Sequence, residues 1–193
     1  MCRLIAAPFL FFSLLCFSLS VALANSFEQI DWIDLLPEED LYALENPPDY
    51  LDDIEDGSFE DQLASSMVGA LEQSTLPNDA YQQALVSTKV VERFDKRNIR
   101  VPGFIVPVNM DENQQVTEFF LVPYFGACIH LPPPPPNQII YVHHEGININ
   151  DIYTPYWIEG QLSTTLTENE VAVSAYAMQA ENITVYTESS AAN

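Results

Sequence analysis

Hydrophobic residues follow several patterns in succession along the chain, and each pattern predicts a different element. The chain opens with an uncharged apolar run from Leu4 to Leu23. Apolar residues at helical spacing then predict an amphipathic helix at 60–71, and a single short turn of helix is predicted at 80–85. From residue 86 onwards, short apolar runs separated by polar turns predict strands, at 99–108, 119–122, 139–142, 156–162, 171–177 and 183–186.

These strands predict the fold class. Several short strands with polar turns at regular spacing are typical of a small barrel or a sandwich. Gly103 and Gly160 each lie inside an apolar strand, where glycine marks a sharp bend or bulge such as those at barrel corners. Five or six strands with little helix favour a mainly β fold with short N-terminal helices, namely a small, partly open β-barrel of the oligonucleotide/oligosaccharide-binding (OB) type.

The N-terminus predicts export. Arg3, the apolar run and the small-x-small ending Ala22-Leu23-Ala24 match a secretory signal peptide cleaved after Ala24. A membrane anchor is the alternative, because the run is close to the length that spans a bilayer. A bulky leucine directly before Cys16 makes a poor lipoprotein site, so no lipid anchor and no membrane insertion are predicted after cleavage. The expected location is the periplasm or the secreted fraction.

The remaining chain divides by composition. Residues 1–24 form the signal peptide, 25–78 an acidic helical N-terminal arm, 79–188 the barrel-like domain and 189–193 a flexible C-terminus. The arm carries an apolar knot at 32–36, followed by a short helix that opens at Pro37 and stops at 46–48. We expect the arm to dock this knot on the barrel. A disordered acidic tail is the alternative, although such tails rarely carry so much apolar material.

The charge restricts the partners. The chain has 6 Lys+Arg against 28 Asp+Glu, a formal net charge of −22, and cleavage would also remove Arg3. Nucleic acid and anionic membrane surfaces are excluded as partners, because both require a basic patch. Cations or basic protein surfaces fit better, although high negative charge also simply keeps an exported protein soluble.

All basic residues after Arg3 fall between Lys89 and Arg100, in a predicted hairpin. Its first strand is the apolar run at 85–94, which leads into a polar turn at 95–98 and a return strand at 99–108. Lys96, Arg97 and Arg100 are therefore candidate partner-binding residues. The simpler interpretation is a solvated turn whose charges protect a strand edge. A further alternative is that the hairpin pairs with the acidic arm.

Candidate chemistry centres on Cys128, which would be the only cysteine left after cleavage and could form no internal disulfide. In an extended chain Cys128 and His130 point to one face, and thiolate with imidazole is a typical ligand pair for zinc. If His130 lies opposite Ile139 in an antiparallel pair, Cys128 faces Tyr141, and His143 faces Gly126. That assumed register predicts a zinc site of Cys128, His130 and His143, with His144 or Glu145 as a spare.

Two alternatives stay open for Cys128. It is either a buried small residue beside a hydrogen-bonded histidine, or a reactive thiol. An enzymatic role is disfavoured, because no orienting carboxylate or amide can be named for His130 and no second cysteine is present for exchange.

Five consecutive prolines follow, and they form a stiff polyproline stretch without backbone donors. This stretch is either a projecting ligand for a partner's aromatic groove or a rigid clasp between strands. The flanking apolar residues favour the clasp, with Asn137-Gln138 supplying amides to the loop carbonyls. The stretch is also a candidate partner-binding segment, consisting of Pro132, Pro133, Pro134, Pro135 and Pro136.

The segment from Phe120 to Val142, which contains Gly-Ala-Cys-Ile-His-Leu-Pro-Pro-Pro-Pro-Pro-Asn-Gln, resembles the signature of a proteobacterial family without assigned activity, the domain-of-unknown-function family 3299. The likeness extends to 100–107, 156–162 and 32–37. Members of that family are exported proteins or lipoproteins, and some are similar to components encoded beside ABC-transporter genes that respond to zinc limitation.

The resemblance implies an accessory role in the cell envelope. The leading hypothesis is an exported accessory or binding protein linked to zinc handling or an ABC transporter through the Cys128/His130 loop. The alternatives are a structural or protein-docking module without metal, and a thiol-dependent enzyme.

Overall fold

The computed structural model describes residues 26–49, 79–127 and 134–187. Its strands are β1 (Glu28–Gln29), β2 (Arg97–Met110), β3 (Val116–Val122), β4 (Ile140–Ile147), β5 (Tyr156–Ser163), β6 (Thr167–Glu168), β7 (Val173–Ser174) and β8 (Tyr176–Val185). The helices are α1 (Glu38–Glu45) and α2 (Ala80–Ala84), with 3-10 turns at Trp32–Leu35, Glu92–Phe94 and Pro136–Gln138. Among these elements, no helix has the length and apolar character needed to cross a bilayer.

Five strands close into a barrel in the order β2-β3-β4-β8-β5, and β5 pairs back onto β2. The β4–β8 pair is parallel, whereas the other pairs around the barrel are antiparallel. This Greek-key closure is the OB-type arrangement, so the predicted small, mainly β barrel is confirmed. The short β1 adds a parallel pairing at Ile99 and Arg100 of β2.

Glycines lie where the barrel strands crowd or bend. Arg97–Gly103 of β2 pairs with β5, and the strand then pairs with β3 from Phe104 onwards. A Cβ atom on Gly103 would lie 2.8 Å from both Leu121 Cδ1 and Val122 O, so only glycine fits this close approach. The register of β5 on β8 shifts between Glu159 and Gly160, which confirms the bulge predicted there.

Strand alternation fills the barrel. Side chains that point inward form one continuous apolar core, and its large, fully buried members include Ile99, Val101, Phe119, Leu121, Ile140, Ile158, Leu162, Tyr176 and Met178. The alternate positions of β3 and β4 form a second apolar layer on the outer face, built on Phe120, Val122, Ile139 and Tyr141. The two layers explain why β3 reads as an almost continuous apolar run.

The arm docks on the barrel over residues 26–49, as the apolar knot predicted. Leu35 is fully buried, and Tyr176 Oη donates a hydrogen bond to its carbonyl at 2.9 Å. Trp32 Nε1 donates to the Pro102 carbonyl at 2.6 Å. Helix α1 begins directly after Pro37 and ends before Asn46, also as predicted. The helix predicted at 60–71 lies outside the described residues.

The predicted hairpin at 85–100 is wrong. Residues 85–91 do not form a strand, and a 3-10 turn precedes β2 instead. The physical reason is that this segment bonds to and packs against other parts of the protein instead of pairing with β2. Val90 and Val91 pack against the core, and the Val91 N–H donates to Tyr176 Oη at 2.7 Å. Strand β4 runs from Ile140 to Ile147, so it continues beyond the end of the strand predicted at 139–142.

Trp32→Phe tests the anchoring of the arm. It keeps an aromatic ring but removes the donor to Pro102 O, so we expect the free energy of unfolding to fall by about 1 kcal/mol. Urea unfolding followed by circular dichroism measures this change, and limited proteolysis reports release of the arm. The control is Tyr42→Phe, because that side chain is 69% exposed. Equal stability of both variants would contradict anchoring by the indole N–H.

Candidate functional site

The predicted register for a zinc site is wrong. His143 lies opposite Glu118 and Tyr141 lies opposite Phe120, so His143 does not face Gly126. The cause is that β3 ends at Val122 and the chain turns at 123–127 instead of continuing as a strand. Cys128, His130, Pro132 and Pro133 lie outside the described residues, and zinc binding by the loop stays a prediction.

The two adjacent histidines have different partners in the described residues, and zinc binding by either of them stays a prediction. His143 lies on the outer face, and His144 Nδ1 accepts a hydrogen bond from the Gly146 N–H at 3.0 Å. Across residues 26–49, 79–127 and 134–187, no group of three or more His, Cys, Asp or Glu side chains is arranged to hold a metal.

A polar cluster surrounds Glu118 on the outer face of β3 and β4. Tyr141 Oη donates to Glu118 Oε2 at 2.9 Å, and His143 Nδ1 lies 3.3 Å from Oε1. Asn109 Nδ2 of β2 also donates to this carboxylate. The sequence reasoning missed Glu118 and Asn109. Alternation along β3 could have placed Glu118 outward, since it shares a face with Phe120.

Hydrogen bonding shifts the pKa of Glu118 in this cluster. The Asn109 amide, then the Tyr141 hydroxyl and the nearby His143, hold the pKa of Glu118 below its ordinary value. Burial, reinforced by Glu118, raises the pKa of Tyr141. A general base is most effective with a pKa near the working pH, so a carboxylate held below its usual range is suited to accepting hydrogen bonds rather than protons.

The variant Tyr141→Phe tests whether the hydrogen bond from the Tyr141 hydroxyl lowers the pKa of Glu118. Because the folded-state pKa of Glu118 is lowered, its ionisation stabilises the protein above the unfolded-state pKa of about 4.3. That stabilisation is lost as the pH falls through the lower folded-state pKa. We expect Tyr141→Phe to raise the Glu118 pKa, measured by NMR titration of the carboxyl, and to reduce the loss of stability between about pH 5 and 3. Leu166→Ser, at a position that is 57% exposed, is the control, and an unchanged Glu118 pKa in Tyr141→Phe would contradict the assignment.

The Asn137-Gln138 pair holds the arm on the barrel. Asn137 is fully buried, and its Nδ2 donates to Asp40 Oδ2 at 3.0 Å and to the Lys89 carbonyl at 3.2 Å. Gln138 Nε2 donates to the Trp32 carbonyl at 2.8 Å and to the Asn137 carbonyl at 3.1 Å. The sequence predicted that these amides serve the loop's own carbonyls, but they mainly reach other segments.

The described prolines support the clasp interpretation. Pro134 and Pro135 are buried, and Pro136 is partly buried. The Pro136 carbonyl accepts a hydrogen bond from the Ala175 N–H at 2.8 Å, which ties the end of the stretch to the start of β8. These three residues are packed into the protein and do not project as a ligand. What they clasp is the arm and β8 rather than two neighbouring strands.

The basic residues mostly contact the protein's own acids. Lys89, Arg93 and Arg97 pair with arm carboxylates, at 2.8 Å to Glu39, 3.9 Å to Asp34 and 3.1 Å to Glu28. For these three residues, the structure matches the alternative interpretation in which the basic segment pairs with the acidic arm.

The other two basic side chains lie near carboxylates outside the arm. Arg100 packs over Trp157 with its guanidinium carbon 4.0 Å from the ring centroid, and it lies 3.5 Å from Glu159. Lys96 lies 3.7 Å from Asp95 and is 81% exposed. Binding of a partner by Lys96, Arg97 and Arg100 stays a prediction.

Exposed aromatic side chains gather where β3 ends and β5 begins. The Phe125 ring lies 4.5 Å from the Tyr153 ring and 6.1 Å from the Phe104 ring, measured between centroids. Tyr153 is 65% and Phe125 is 37% exposed. We call this surface the aromatic end, consisting of Phe104, Tyr124, Phe125, Ile152 and Tyr153. An apolar groove of about 160 Å³ lies against it. The sequence reasoning missed it, although Tyr124-Phe125 in a turn was a visible signal.

Comparison with known proteins gives two findings. The model of a family described as a protein of unknown function, DUF3299, matches residues 32–185. The crystal structure of a DUF3299 family protein from Pseudomonas aeruginosa PAO1 is similar, with 34% identity and a TM-score of 0.60, over 84% of this chain and 97% of that chain. No curated protein matches the chain.

Proposed function

Because this chain belongs to the DUF3299 family of proteins of unknown function, we propose a role from its own surfaces: it is a protein-docking module, and the aromatic end is its contact surface. The observation that carries the proposal is the contiguous exposure of Tyr124, Phe125, Ile152 and Tyr153 beside an apolar groove. Exposed apolar patches of this kind mark interaction sites, and aromatic anchors dominate binding energy at interfaces.

The other candidate surfaces of the protein are less suited to a functional role, which favours the aromatic end. The Glu118 cluster holds a carboxylate with a lowered pKa, which is poor for acid–base catalysis. Three of the basic side chains pair with the arm, and the described prolines are packed inside. We place this module in the periplasm as an accessory of an envelope assembly such as a transporter, which follows from the predicted signal peptide and the resemblance.

Site-specific photo-cross-linking in the native host tests the proposal. A benzophenone amino acid replaces Tyr153 in one variant and Leu166, which is 57% exposed away from the aromatic end, in the control. A discrete adduct from position 153, absent at position 166 and lost when Phe125→Ala is added, is the expected result. Adducts of equal yield at both positions, or an adduct that survives Phe125→Ala, would overturn the proposal.

A further inference from the structure

Two shallow grooves flank one aromatic side chain. Phe104 lines both the groove of about 160 Å³ beside Phe125 and Ile152 and a second groove of about 250 Å³ beside Trp32 and Tyr186. Each is smaller than the roughly 300–1,000 Å³ typical of small-molecule sites. Adjoining shallow grooves on an exposed surface fit an extended chain that places successive side chains on either side of a ridge.

The walls of these grooves are aromatic and proline-rich. Pro107 lines the first groove, and the second is lined by Pro102, Pro123 and Pro155. Grooves walled by aromatic side chains are the usual receptors for polyproline II segments, which are already stiff and lose little entropy on binding. Such a segment repeats every three residues, about 9 Å, which lets prolines one turn apart enter neighbouring grooves.

The charge distribution of the protein favours a partner segment with positive charge. The five basic side chains of the described ranges each lie within 3.9 Å of a carboxylate, and none of them lines either groove. The loop that presents Ile152 and Tyr153 begins at Asp151, whose carboxylate accepts hydrogen bonds from Tyr153 N and Thr154 Oγ1. With a formal net charge of −22, the chain attracts cationic segments and repels acidic ones, a second copy of itself included.

We propose that the aromatic end binds an extended, proline-rich segment of a partner protein that carries Lys or Arg beside its prolines. This inference rests on the proposed docking function and narrows it to one chemistry. Phe104 forms the ridge between two proline-sized grooves, and Phe125 and Ile152 form the wall of the first groove. Tyr153 packs on the Phe125 ring and extends that wall, and Asp151 supplies the acidic rim.

The test uses a fluorescein-labelled peptide with two Pro-x-x-Pro repeats and two flanking arginines, and anisotropy titration with the full mature chain. Replacing its prolines by alanine, or its arginines by glutamate, is expected to weaken binding by about tenfold or more. Phe125→Ala and Tyr153→Ser are expected to weaken it similarly, and Leu166→Ser to leave it unchanged. Asp151→Asn, which keeps an acceptor oxygen, is expected to weaken it about threefold and to flatten the salt dependence.

Several outcomes would overturn the inference. They are equal affinity for the alanine-substituted peptide, no binding of the arginine peptide at millimolar protein, and dimerisation through Tyr153 in sedimentation equilibrium. Unfolding midpoints of Phe125→Ala and Tyr153→Ser verify folding, and either folded variant suffices for the test. If the peptide fails while the Phe125-dependent cross-link at position 153 persists, docking stands and only the partner chemistry is wrong.

Discussion

Gly160→Ala is expected to lower the free energy of unfolding by about 3 kcal/mol or more, and the variant accumulates poorly for that reason. An added Cβ would overlap the Gln179 carbonyl oxygen and lie 2.8 Å from Ala180 Cα, and both are backbone atoms of β8. Backbone in a closed barrel cannot move aside without opening the β5–β8 pairing, whereas a flexible side chain could rotate.

Urea unfolding checks this result, and two further variants calibrate it. Gln161→Ala changes the next residue of β5, whose side chain is exposed, and we expect a change of about 0.5 kcal/mol or less. Gly103→Ala is expected to be intermediate, because one of its close neighbours is the Leu121 side chain. A Gly160→Ala variant as stable as Gln161→Ala would show that β5 has room there.

Asn137→Asp is expected to cost about 3 kcal/mol at pH 7, because it places a second carboxylate against Asp40 in a site with almost no solvent. Asn137→Ala removes the same hydrogen bonds without adding charge, and we expect about 2 kcal/mol. Asn148→Ala, on the exposed surface, is the matched control.

The pH dependence of the free energy of unfolding distinguishes charge repulsion from the loss of hydrogen bonds. Burial and the neighbouring carboxylate raise the folded-state pKa of the introduced carboxyl, so the folded state binds protons more tightly than the unfolded state. Its cost relative to wild type therefore shrinks as the pH falls from 7 towards about 4. The cost of Asn137→Ala stays constant over that range. Parallel curves for the two variants would exclude repulsion from Asp40 as the cause.

Much of the fold could be predicted because it depends on local patterns. Short apolar runs bounded by polar turns identified β3, β5 and the pairing of β3 with β4, and Gly160 marked the bulge. The docking of the arm followed from an apolar knot that would otherwise be exposed. The strand prediction failed at residues 85–91, because their valines favour a strand and so match the pattern of one. The backbone groups of this segment bond to residues far away in the sequence: the Val91 N–H donates to the Tyr176 hydroxyl, 85 residues away, and Asn137 donates to the Lys89 carbonyl.

The site was harder to predict because it depends on register. The assumed register paired His143 with Gly126, whereas in the structure His143 pairs with Glu118, because β3 ends earlier than assumed. The sequence pattern alone does not fix the residue at which a strand ends, and the register depends on it. The aromatic end joins residues from β2, the turn after β3 and the loop before β5, which only the closed barrel brings together. Asn137 and Gln138 were noticed as unusual, but their partners Asp40 and Trp32 lie 97 and 106 residues away.

The bond from Tyr176 to Leu35 spans 141 residues, and it has a kinetic consequence. Contacts this distant in sequence form only after the intervening loops have closed, and chains rich in such contacts fold slowly, in milliseconds to seconds. The hydrogen bond that ties Leu35 of the arm to Tyr176 can form only after β8 has been synthesised. A nascent chain must therefore be almost completely synthesised before this bond can hold the arm in place.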